Sequence, residues 1–130
     1  MWKNTTEAID IYELLSENDY PQAQNSLGII YEEGKLIKRN YQKAYKLYKQ
    51  SAENSYDKGQ YNLARMYQNG TGCVKNFDKA MEIYKLSAEQ GYDLAINAIK
   101  KLHKIYEMDL KIISILTDEK WITQYLFFYS

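Results

Sequence analysis

Cysteine occurs once, as Cys73, histidine once, as His103, and proline once, as Pro21. A single cysteine excludes an intramolecular disulfide and a thiolate metal cluster, and it fits a reducing compartment. One histidine and one cysteine cannot build a zinc site of ordinary composition. Charge of one sign is also missing. Lys and Arg total 17, Asp and Glu total 17, and the formal net charge is zero. That balance argues against a dedicated binder of nucleic acid or of an anionic membrane. Long apolar runs are absent too. The N-terminal "MWKNTTEAID" has no apolar core of a secretory signal, and the C-terminal "WITQYLFFYS" is far short of the roughly 20 residues a membrane span needs. The expectation is a soluble, intracellular chain. Its 130 residues suit one domain with a small core.

What is abundant is repetition. "YKQSAENSYD" (Tyr48 to Asp57) returns as "YKLSAEQGYD" (Tyr84 to Asp93), and a fainter echo, "YELLSENDYP", runs from Tyr12 to Pro21. Residues 22–57 lie on residues 58–93 without a gap, and 14 of the 36 paired positions are identical, among them Leu27/Leu63, Tyr31/Tyr67, Gly34/Gly70, Asn40/Asn76, Ala44/Ala80 and Tyr48/Tyr84. The register extends back through Ala8, Tyr12 and Tyr20 and forward, more faintly, to Ala95, Ile99 and His103. A period in this range marks stacked units that bury a core only against each other.

Each full unit predicts two helices. Helix A spans about 22–33 and 58–69, with Ala23, Leu27, Ile30 and Tyr31 on one face. Gly34 and Gly70 follow where a helix end favours a residue with positive φ. Asn40 and Asn76 are the expected N-caps of helix B, and Asp57 and Asp93 the expected caps of the next helix A. Tyrosines at 12/48/84, 31/67 and 20/56/92 reuse fixed positions, so their expected role is packing, with hydroxyls reaching backbone or water.

The pattern resembles Sel-1-like repeats, relatives of the tetratricopeptide repeat. The residues carrying the resemblance are Ala23, Leu27, Gly28, Tyr31, Gly34, Lys43, Ala44, Tyr48 and Ala52, then Leu63, Tyr67, Gly70, Gly72, Lys79, Ala80, Tyr84, Ala88 and Gly91. The match covers about residues 5–106. It departs at Leu36, in place of a second glycine, at Ala64, opposite Gly28, and at Cys73, where valine is usual. It fails after Tyr106, which itself stands at the Gly34/Gly70 position. The resemblance implies an all-α superhelix, a short solenoid of antiparallel helix pairs whose A helices line a concave face. The expected organisation is an N-terminal half-repeat with a capping helix (1–21), full repeats (22–57 and 58–93), the first helix of a further partial repeat (94–108) and a non-repeat tail that is a candidate cap (109–130).

Family members are usually protein–protein adaptors, so the resemblance implies a non-enzymatic protein that binds a protein or peptide in the concave face. Helix A positions that do not repeat are free to carry specificity. By analogy with the tetratricopeptide groove these include Asn25, Ile29, Glu32 and Glu33 in the first unit, Lys58, Tyr61, Arg65 and Gln68 in the second, and Asn97 and Lys101 in the third. Tyr61 and Arg65, one turn apart, belong to the residue types richest in binding energy.

Chemistry is not expected. His103 falls on the Tyr31/Tyr67 position and is assigned to packing. "GTGCVKN" (Gly70 to Asn76) lacks the Gly-Lys-Ser/Thr ending of a phosphate loop and follows a helix. No catalytic residue, cofactor or metal is assigned. The family's cysteine-rich secreted branch has been linked to β-lactam binding, but its spaced cysteines are absent here. The alternatives are a remnant or paralogue of a longer array with no present partner, and a nucleic-acid-binding helical repeat. Self-association through the aromatic tail is a further expectation.

Overall fold

The computed structural model describes residues 2–118, 123–124 and 126–128. It contains helices α1 (Trp2–Glu17), α2 (Pro21–Glu33), α3 (Tyr41–Glu53), α4 (Asp57–Asn69), α5 (Phe77–Glu89) and α6 (Asp93–Thr117), with no strand among the described residues. The chain divides into two compact units, Met1–Ile96 and Asn97–Ser130.

In the first unit the helices from α1 to α5 each pack on the next, and α2 also touches α4, the stacking of a helical repeat solenoid. The helix ends follow local chemistry. Gly34 and Gly70 adopt φ of 65° and 67° and return their N–H groups to Ile30 and Met66. The side chains of Asn40 and Asn76 accept from the Lys43 and Lys79 N–H groups, each at 3.0 Å. Pro21 opens α2, where its missing N–H costs nothing.

Asp57 and Asp93 are not caps. Each is the first helical residue, and the position before α4 is Tyr56, which makes no side-chain capping bond. Asp57 instead accepts from the Lys58 N–H at 2.8 Å and places its charge at the positive end of the helix dipole.

The core repeats with the sequence. Ala44, Ala80, Tyr48, Tyr84, Ser51 and Ser87 are all essentially inaccessible, with Leu27 and Leu63 beside them. Ser51 and Ser87 donate to the carbonyls of Pro21 and Asp57 at 2.7 and 2.8 Å, which pins each helix B to the start of its helix A. α4 also approaches α3 so closely that a Cβ at Gly59 would collide with Ser51. The buried tyrosine hydroxyls do not go to backbone or water. Tyr48 donates to Glu32 at 2.6 Å and Tyr84 to Gln68 at 2.7 Å. Burying a hydroxyl requires a partner, and the facing helix A supplies one in both repeats.

The expected break near residue 108 is absent from the helix. α6 runs from Asp93 through to Thr117, because Tyr106 stands where glycine ends the other two A helices. His103 accordingly does not take up the packing role of Tyr31 and Tyr67. Every residue from His103 to Asp118 is exposed. The aromatic tail falls partly on residues 119–122, 125 and 129–130, which lie outside the described residues.

Candidate partner-binding site

Helices α2 and α4 present their non-repeating residues to each other, and a cleft of about 440 Å³ opens there. Ile29, Glu32 and Glu33 line it from α2, Asn62 and Arg65 from α4, Tyr41 and Tyr48 from α3, and Thr71 from the turn after α4. Glu32 is its electrostatic centre. One carboxylate oxygen, Oε2, accepts from the Tyr48 hydroxyl and from the Arg65 guanidinium, each at 2.6 Å. Burial pushes the Glu32 carboxyl up, but hydrogen bonds from Arg65 and Tyr48 outweigh it and hold the group below its ordinary value. The same bond raises Arg65. Burial, then the neighbouring carboxylate, pushes the Tyr48 hydroxyl far up.

A second tie crosses the seam, from the Asn62 amide to Asn25 Oδ1 at 2.9 Å. Below it, Arg39 donates through Nε to the Glu32 carbonyl and through Nη2 to the Glu33 carbonyl, both at 3.0 Å, satisfying two orphan acceptors at the end of α2. Ile29, 37% exposed, and the outward Glu33 carboxylate remain open to a ligand. The site therefore offers a compensated ion pair, amide and guanidinium donors, one exposed carboxylate, Glu33, loosely paired with Lys35 at 4.0 Å, and two apolar surfaces, Ile29 and the Tyr41 ring. This is equipment for recognising polar and apolar groups together.

Of the residues singled out in the sequence, Ile29, Glu32, Glu33 and Arg65 converge here. Asn25 is buried beside the cleft, with its amide turned to Asn62. Gln68 is occupied by Tyr84. Tyr61 stands outside the cleft, its ring against Tyr84 and Tyr92 with centroids 5.7 and 5.4 Å away. Lys58 is exposed at the start of α4, and Asn97 and Lys101 are exposed on α6 in the second unit. Tyr41, Tyr48 and Thr71 carry no sequence signal of joining a site, since only the stacking of α3 and α4 on α2 brings them together, and Asn62, a non-repeating helix A residue opposite Ser26, is not among those singled out.

Elsewhere the potential chemistry is muted. Cys73 is half-buried in the α4–α5 turn, and burial raises its thiol pKa, the reverse of an activated thiolate. Among the described residues no three His, Cys, Asp or Glu side chains gather as a metal site. No described helix is long and apolar enough to cross a membrane.

Comparison with known proteins places this architecture. The model of the Sel1 repeat matches residues 21–56 and 57–92. Among solved structures, a Sel1 repeat protein from Oxalobacter formigenes is 29% identical with a TM-score of 0.71, over 74% of this chain and 72% of that one. The protective antigen c5321 of uropathogenic Escherichia coli, which displays an SLR fold, is 31% identical with a TM-score of 0.68, over 70% of this chain but only 20% of its own. Cysteine rich protein B of Helicobacter pylori shares the fold at 23% identity and a TM-score of 0.67, over 69% of this chain and 68% of that one. No curated protein matches significantly. Two in-phase repeat matches across more than half the chain, on helix pairs that cap and stack alike, establish that it belongs to the Sel1 repeat family.

Proposed function

We propose that this chain is a non-enzymatic interaction protein that binds a protein or peptide segment across the seam between α2 and α4. Sel1 repeats are commonly protein-interaction modules. The observation that carries the reading is the composition of the cleft. The constant pairs Leu27/Leu63, Ala44/Ala80, Tyr48/Tyr84 and Ser51/Ser87 are packed inside, whereas Ile29, Glu33, Asn62 and Arg65 differ from their counterparts and line the opening. A segment with an apolar side chain for Ile29 and Tyr41 and a basic group for Glu33 matches what is exposed.

The test is affinity capture from native extract with wild type and an Ile29→Lys, Glu33→Lys double variant. Both side chains are exposed, so helicity should be unchanged. A partner retained by wild type and lost by the variant supports the cleft. Equal retention moves the binding surface elsewhere, and no partner with either version favours a remnant of a longer array.

A further inference from the structure

The second unit holds a surface that the cleft does not explain. From Asn97 to Thr117, α6 is a continuous helix about 30 Å long at 1.5 Å per residue. Ala98, Leu102, Ile105, Asp109, Ile112 and Leu116 follow each other at spacings of 4, 3, 4, 3 and 4 residues. That is the seam of a packed helix pair, three repeats of the seven-residue pattern. Tyr106 and Ile113 flank it on one side, Met108 and Ile115 on the other, while Lys100, Lys104, Glu107 and Lys111 occupy the opposite face. Among the described residues, Ala98 and Leu102 are half-buried, whereas the seam from Ile105 onward is open to solvent. Ile105 is 55% exposed, Ile112 50% and Leu116 53%.

Two charges interrupt this apolar face, and they have opposite signs. Asp109 sits within the seam and Lys101 on its edge. Eight residues separate them, about 12 Å along one helix, too far for a pair within one chain. We propose that the seam pairs with the same helix of a second copy, antiparallel. That alignment stacks Ala98 on Leu116, Leu102 on Ile112 and Ile105 on Asp109, each layer occurring twice by symmetry. Lys101 lies one turn from Ile105 on the same edge, so it reaches the Asp109 carboxylate of the other copy. A parallel pair would place the two Asp109 carboxylates against each other in the apolar layer. The buried charge therefore selects the antiparallel orientation, as single polar residues do in other helix pairs.

The experiment is sedimentation of the full chain over a wide concentration range, with four variants. Wild type should reach a dimer. Ile105→Glu should be monomeric with the repeat helicity intact, because this side chain is exposed in the single chain. Lys101→Asp and Asp109→Lys should each weaken association roughly tenfold or more, and the double exchange should recover most of it, since it rebuilds the pair between copies. The proposal is overturned by a wild type that stays monomeric at its highest soluble concentration, whether free, bound to lipid vesicles or with α6 shielded by its own residues 119–130. It is equally overturned by dimers that survive Ile105→Glu, or by a double exchange no better than its singles.

Discussion

The two repeats of the first unit share a frame and differ in how they finish it. In both, a buried tyrosine of helix B donates its hydroxyl to the side chain near the end of helix A. In the first repeat the acceptor is Glu32, which then also binds Arg65 of the following repeat. In the second it is the neutral Gln68. A hydroxyl accepts either solution, so the frame tolerates both. Only the carboxylate creates a charged tie between successive A helices, and with it an electrostatic centre for the cleft. The architectural position and the candidate site thus share one residue, which shows that a non-repeating position need not be free of structural work.

The largest effects should fall where the repeats agree. Tyr48→Ala and Tyr84→Ala should each cost about 3–5 kcal/mol in urea unfolding, because both empty a closed aromatic site. A much smaller loss at either would break the equivalence of the two frames.

The next effect should separate the repeats. Arg65→Ala leaves Glu32 half-buried without its cation and should cost about 1–3 kcal/mol, a range lowered because the pair is partly open to solvent and screened. Acid response sharpens the contrast. Glu32 has a lowered folded pKa, so its contribution is complete above the ordinary glutamate range and is lost as pH falls through the folded value. Glu32→Gln, which copies the second repeat, should flatten that acid loss while keeping an acceptor for Tyr48. An unchanged pH profile of unfolding would show that the Glu32–Arg65 tie contributes nothing.

The smallest effect concerns the turns after α1, α3 and α5. Asp19, Ser55 and Gly91 occupy one repeat position and all have positive φ, at 62°, 61° and 86°. Only glycine adopts that conformation without a steric penalty. Ser55→Gly should therefore raise stability by about 0.5–1 kcal/mol, measured as a shift in the urea midpoint, and Gly91→Ala should lower it by a similar amount. A destabilised Ser55→Gly would mean that glycine's extra freedom in the unfolded chain outweighs the relieved strain.

Much of this fold is legible in the residues. The glycine ends at 34 and 70, the asparagine caps at 40 and 76 and the packing tyrosines at 48 and 84 are local or repeat-locked features, and one copy checks the other. The failures have a common origin. Asp57 looks like a cap because acidic residues serve as well at the first helical position as just before it. His103 looks like a packing residue because it inherits the register of Tyr67, but packing there needs a second helix folded back, and α6 continues instead. Tyr106, in place of glycine, was the visible sign of that continuation. The part of the candidate site on α2 and α4, from Ile29, Glu32 and Glu33 to Asn62 and Arg65, likewise consists of non-repeating helix A residues, whereas Tyr41, Tyr48 and Thr71 are not visible in that way.

Periodicity, caps and the choice of glycine or tyrosine at a given step depend on neighbours within a few residues, so the chain specifies its helices and their repeat from its order alone. Which side chains meet across the seam is a different matter. Glu32 and Arg65 are 33 residues apart and bond at 2.6 Å only because α4 stacks beside α2. Asn25 is withdrawn from the surface by the same stacking. Contacts of that range depend on how whole helices pack, and packing selects among pairings that the linear pattern leaves equivalent.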